Sequence, residues 1–148
     1  MLKHILIATD GSELADKGIE QGFSLAHAVG AKVTILSVAG PLTDGERIAA
    51  FEGGIDDPVL RYEQHIADEM KKRFASIGRR ATENGVDVEF THGINEHAAE
   101  TIIEMAEQKK CDLIVMSSHG RRGVRRFILG SQTAEVVTHT NIPVLVVR

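Results

Sequence analysis

The chain has one cysteine, no tryptophan, three prolines and no apolar run long enough to cross a membrane. A lone thiol, Cys111, can close no internal disulfide and can build no thiolate-rich metal site, which fits a reducing, cytoplasmic setting. The apolar stretch at residues 5–8 is too short for the core of a signal peptide. No later stretch approaches the roughly 18 apolar residues of a membrane span. Neither sign of charge dominates. With 17 basic and 21 acidic residues the net charge is −4 with His neutral, so there is no general attraction to nucleic acid or anionic lipid. Several motifs are also missing. There is no G-x-x-x-x-G-K-[ST] loop, no G-x-G-x-x-G after the first strand, and no G-x-S-x-G elbow. The seven histidines show no zinc-protease spacing.

What is present is the composition of one folded domain over residues 1–148, with 43% hydrophobic and 26% charged residues. Those proportions exclude disorder and fibrous architectures. Short apolar runs alternate with longer helical patterns. Strands are expected at residues 5–8, 33–38, 86–90, 113–116 and 144–147, and helices at 12–29, 58–84, 96–110 and 131–140. The apolar stripes use Ala15, Ile19, Phe23, Ala26 and Val29 in the first helix, and Val59, Tyr62, Ile66, Met70, Phe74, Ile77 and Ala81 in the second. The third turns Ala99, Ile102, Ile103 and Ala106 inward, and the last Ala134, Val137 and Val136. Gly30 and Gly85 stand where helices stop. Residues 39–57 read as a long connection whose apolar patch, Ile48 to Phe51, is a lid, a subunit contact or a plain insertion. Strands that are apolar almost throughout, separated by helices, predict a doubly wound parallel α/β sheet covered on both faces. Ligands of such sheets bind beyond the carboxyl ends of the strands, where the winding reverses.

Two loops would meet there if the first and fourth strands are neighbours. One is Thr9-Asp10-Gly11-Ser12. Asp10 is suited to accept a ribose hydroxyl or an adenine amino group, or to hold a divalent ion through water, but its spacing to Glu13 equally suits a simple capping box, with Ser12 as a rival cap. The other runs from Met116 through Ser117, Ser118, His119 and Gly120 to Gly130 and Ser131. Its glycines Gly120, Gly123 and Gly130 let backbone N–H groups converge, and Gly130-Ser131 opens a helix whose dipole suits a phosphate. Arg121, Arg122, Arg125 and Arg126 add positive charge. A solvated basic turn before a Ser-capped helix explains the same residues equally well. Cys111 reads as a small buried residue.

Taken together, Asp10-Gly11-Ser12, the segment Met116 to Gly120, the nine residues that separate it from Gly130-Ser131, and the terminal Ile142-Pro143-Val144-Leu145-Val146-Val147 resemble the universal stress protein family over essentially the whole chain. The resemblance implies a Rossmann-like sheet of five strands in the order 3-2-1-4-5, and a homodimer built on the last strand through Pro143, Val144, Leu145 and Val146. It also implies ATP, with Mg²⁺, as ligand. Gly120, Gly130 and Ser131 match the phosphate-holding positions of the family's ATP-binding members, Asp10 the acid beside the nucleotide, and Val38 the residue whose backbone meets adenine. Ala8, Thr9, Met116 and His119 complete that expected site on one side. Arg121, Gly123, Gln132 and Thr133 complete it on the other. One departure stands out. Ser117 replaces the first glycine of the family's G-x-x-G, and its Cβ narrows the approach to the ribose or phosphates. Alternative readings are a stress-response interaction protein that binds no nucleotide and a very slow ATPase.

Overall fold

The computed structural model describes residues 1–120 and 129–148. In chain order the elements are β1 (His4–Ala8), α1 (Glu13–Val29), β2 (Lys32–Ala39), α2 (Asp44–Glu52), α3 (Pro58–Glu83), β3 (Val88–Ile94), α4 (Ala98–Gln108), β4 (Leu113–Ser117), α5 (Ser131–His139) and β5 (Val144–Val147). The strands form one parallel sheet in the order β3-β2-β1-β4-β5. This is the doubly wound topology that the alternating pattern and the family resemblance predict. No helix among the described residues is long and apolar enough to cross a membrane.

β1 lies at the centre of the sheet, and its alternation divides the core. Ile5 and Ile7 face α1 and α3 and pack with Ile19, Phe23 and Ile77. Leu6 faces α4 and α5 and packs with Ile102 and Val136. A strand covered on both faces needs apolar residues at every position, which is why β1 reads as a continuous run. α1 starts at Ser12, whose hydroxyl accepts from the Ala15 amide at 3.1 Å. It stops at Gly30, whose φ of 69° is left-handed. Away from the cleft end, the buried His4 ring lies 2.7 Å from the Thr34 hydroxyl and 3.1 Å from the Lys109 carbonyl, as expected of a packing histidine.

Some boundaries differ from the sequence reading. Residues 39–57 are not simply a connection, because α2 occupies their middle. Its helix is held locally by a capping box in which Thr43 and Glu46 each accept from the other's amide, at 3.2 and 2.9 Å. It buries none of its residues, so no apolar periodicity announced it. β3 begins at Val88, since the Val86 amide still closes the end of α3 by donating to the Ala81 carbonyl. The strand then runs on through polar residues to Ile94, paired along β2 as far as Ala39. Val29, Val59 and Val137, assigned by spacing to inward faces, are 39%, 40% and 44% exposed. Each sits at or near a helix end or on a short helix, where an apolar stripe outruns the core.

α1 lies unusually close to β1. A Cβ placed on Gly22 would overlap the Ile7 side chain, with Val115 close behind. A larger residue there must displace the buried Ile7 side chain or move the helix off the sheet. Gly22→Val is therefore expected to lower the unfolding free energy by about 1–3 kcal/mol, as overpacking of a close-packed core does. Urea unfolding at constant m-value measures it.

Candidate functional site

β1 and β4 are hydrogen-bonded neighbours, with Ile5, Leu6 and Ile7 opposite Leu113, Ile114 and Val115. The chain leaves β1 toward α1 on one face and leaves β4 toward α5 on the other. Two strands that depart in opposite directions leave an opening between their carboxyl ends. Here it is a cavity of about 560 Å³. Ala8, Thr9 and Asp10 wall it from β1, Met116 and Ser117 from β4, and Val38 from β2. His119, Gly120 and the first turn of α5, Gly130 to Thr133, close the far side.

Every described residue of the expected nucleotide site thus lines one cleft. Arg121 and Gly123, with Arg122, Arg125 and Arg126, lie outside the described residues. The cleft also includes Leu36, Gly40, Ala98 and Ile102, which the sequence reading did not assign to it. Leu36 and Ile102 look like ordinary core residues in sequence, and both are buried. Only the sheet order shows that their tips form an apolar floor under the opening.

The two loops meet closely. Asp10 Oδ1 accepts from the Ser12 amide at 2.9 Å, and Gly11 takes a left-handed φ of 78° to close that turn. Ser12, not Asp10, caps α1, so the Asp10–Glu13 capping box does not form. The Asp10 carboxylate instead lies against Gly120, where a Cβ would collide with Oδ2. At Gly130 a Cβ would stand 3.2 Å from the Ser118 carbonyl oxygen and 3.3 Å from the His119 Cα. The Gly130 amide donates to that carbonyl at 2.7 Å. α5 then begins without a side-chain cap, leaving its first amides to face the cleft.

Several neighbouring side chains hold the walls. Ser117 turns its hydroxyl into its own loop and donates to the His119 carbonyl at 2.8 Å. The residue lines the cleft with that hydroxyl already engaged. Thr133 donates to the Ser117 carbonyl at 2.8 Å, and the Gln132 side-chain oxygen accepts from the Ala99 amide at 2.8 Å, tying α5 to α4. The Tyr62 hydroxyl donates to the Gly40 carbonyl at the rim, 2.5 Å away. Among the described residues no group of three or more His, Cys, Asp or Glu is placed to hold a metal ion. Cys111 is buried beside β4, and burial pushes its thiol up to about 11, which disfavours the reactive thiolate. The cleft combines an apolar floor, a carboxylate, and the uncapped first turn of a helix. That set suits a ligand with a flat apolar end, hydroxyl groups and an anionic tail.

The sequence profile of the universal stress protein family matches residues 1–148. The universal stress protein YxiE of Bacillus subtilis is 29% identical over 156 residues, spanning 100% of both chains. The solved hypothetical protein MJ0577 superposes with a TM-score of 0.82 at 27% identity, over 99% of this chain and 96% of its own. A universal stress protein solved in complex with cAMP has the same fold, with a TM-score of 0.68 at 21% identity, covering 99% of this chain and 97% of its own.

Proposed function

The chain belongs to the universal stress protein family, and we propose that its cleft binds an adenine nucleotide, ATP, as the regulatory ligand of a homodimer. The observation that carries this reading is the meeting of Asp10 with Gly120 at the mouth of the cleft, where any side chain at 120 would occupy the space of the carboxylate. Adenine would lie on Leu36, Val38, Ala98 and Ile102, Asp10 would accept from the ribose, and the first amides of α5, from Ser131 to Thr133, would receive the phosphates. The cAMP complex of a relative with this fold supports an adenine ligand. Mg²⁺ would arrive bound to the triphosphate, which needs no dedicated protein cage. The output we assign is occupancy rather than turnover, since Asp10 and His119 are the only candidate bases that the sequence reading places here.

The dimer would form along β5. The carbonyls of Pro143 and Val147 accept from Ile114 of β4 and from Ser118 just beyond it, so strand alternation turns the backbone groups of Val144 and Val146 outward. Leu145 is 38% exposed on the same edge. An apolar edge with unpaired backbone groups is satisfied by the same strand of a two-fold partner.

Calorimetric titration with ATP–Mg²⁺ should show saturable binding, and Gly130→Val should abolish it while the protein stays folded. No saturation at millimolar ATP would overturn the nucleotide reading. Because the Ser117 hydroxyl is already turned into its loop, Ser117→Gly should change ATP affinity by less than about threefold, or under 1 kcal/mol. Val146→Pro removes an outward donor while sparing the β4 ladder. It should convert a dimer to a folded monomer in sedimentation velocity; a wild-type monomer would sink the dimer.

A further inference from the structure

We propose that Arg73, which lies outside the cleft, is the positioning residue that aims Asp10 into it. The inference rests on the cleft reading above, and its observations lie on the opposite face of the sheet. Arg73 sits in the middle of α3, two turns after Ile66 and one before Ile77, both of them buried residues of that helix. Its Nη1 donates to the Ser37 hydroxyl at 2.6 Å. Ser37 is 0% exposed, and its hydroxyl donates in turn to the Thr9 carbonyl at 2.7 Å. The hydroxyl therefore has its proton committed to Thr9 and a lone pair committed to Arg73, which allows it one rotamer. The same guanidinium lies flat against Gly11. A Cβ there would stand 3.0 Å from Arg73 Cζ, Nε and Nη2.

One side chain thus governs two points of a four-residue turn. It holds Thr9 through Ser37 and packs directly on Gly11. Asp10 lies between those points, and its carboxylate is further oriented by the Ser12 amide. Thr9 and Asp10 line the cleft, while α3 packs in the other core with Ile7 and Phe23. Arg73 acts through the backbone of the turn. The planar group is what does both jobs, because one nitrogen reaches Ser37 while the face covers Gly11; a lysine ammonium can take only the first. Gly11 has to be glycine on two counts, its left-handed φ of 78° and the guanidinium above it.

Two readouts test this, one of which needs no ligand. In the nucleotide-free protein, Arg73→Gln should speed hydrogen exchange of the Ser12 amide by about tenfold or more while the Thr9 amide, bonded to the Leu36 carbonyl at 2.9 Å, stays protected. Arg73→Lys, which can keep the bond to Ser37 but not the cover over Gly11, should recover only part of the protection. In titrations, Arg73→Gln should bring the affinities for ATP and 2′-deoxy-ATP together, because an unaimed Asp10 no longer reads the ribose. Unchanged Ser12 exchange, or equal acceleration at Ser12 and Thr9, would overturn the proposal and leave Arg73 a general stabiliser. Retained ribose discrimination in Arg73→Gln would also overturn it. If wild-type protein binds neither nucleotide, the cleft reading falls by itself, and the exchange measurement still decides whether Arg73 sets the turn.

Discussion

Adjacent parallel strands whose chains leave toward opposite faces cannot close the space above their own ends. That geometric constraint, imposed where β1 meets β4, is what the rest of the site depends on. A single-sided winding would lay both following helices over one face and leave no opening. Here α1 and α5 part, and the gap between them becomes a cleft floored by the sheet.

What kind of cleft it becomes is decided by missing side chains. At Gly120 and Gly130 the backbone runs against the Asp10 carboxylate and against the Ser118–His119 backbone. The two loops can therefore close on each other, which brings the start of α5 to the edge of the cleft. The supporting contacts are made by residues that spend their polar groups on the protein itself: Ser117 on its own loop, Thr133 on the β4 end, Gln132 on α4. Floor, walls and rim thus come from different elements, and the sheet register sets their relative positions.

The succession of strands and helices and the two loops were readable in the chain because each depends on short-range pattern, whereas the sheet order, which pairs β1 with the distant β4, was expected only from the family resemblance. β1 is apolar at every position, and glycines stand where the backbone must come close. Leu36 and Ile102 were not readable as part of the cleft, since nothing local separates a core leucine from one whose tip reaches an opening. α2 escaped for the opposite reason. It buries nothing, so it has no apolar stripe, though its Thr43-x-x-Glu46 box was there to be read. Val29, Val59 and Val137 misled because spacing records a helix's apolar side but not where the core stops. The Asp10 ambiguity was a contest between two local caps, which Ser12 won by reaching the Ala15 amide.

Burial of Cys111 has a chemical corollary. Peroxide and disulfide exchange attack the thiolate, and a thiol raised to about 11 is almost wholly protonated near neutral pH. The only sulfhydryl of this chain is thus withheld from oxidants as long as the helices stay docked on the sheet. Oxidation at that sulfur is thereby coupled to loosening of the packing between β4 and the helices that cover it.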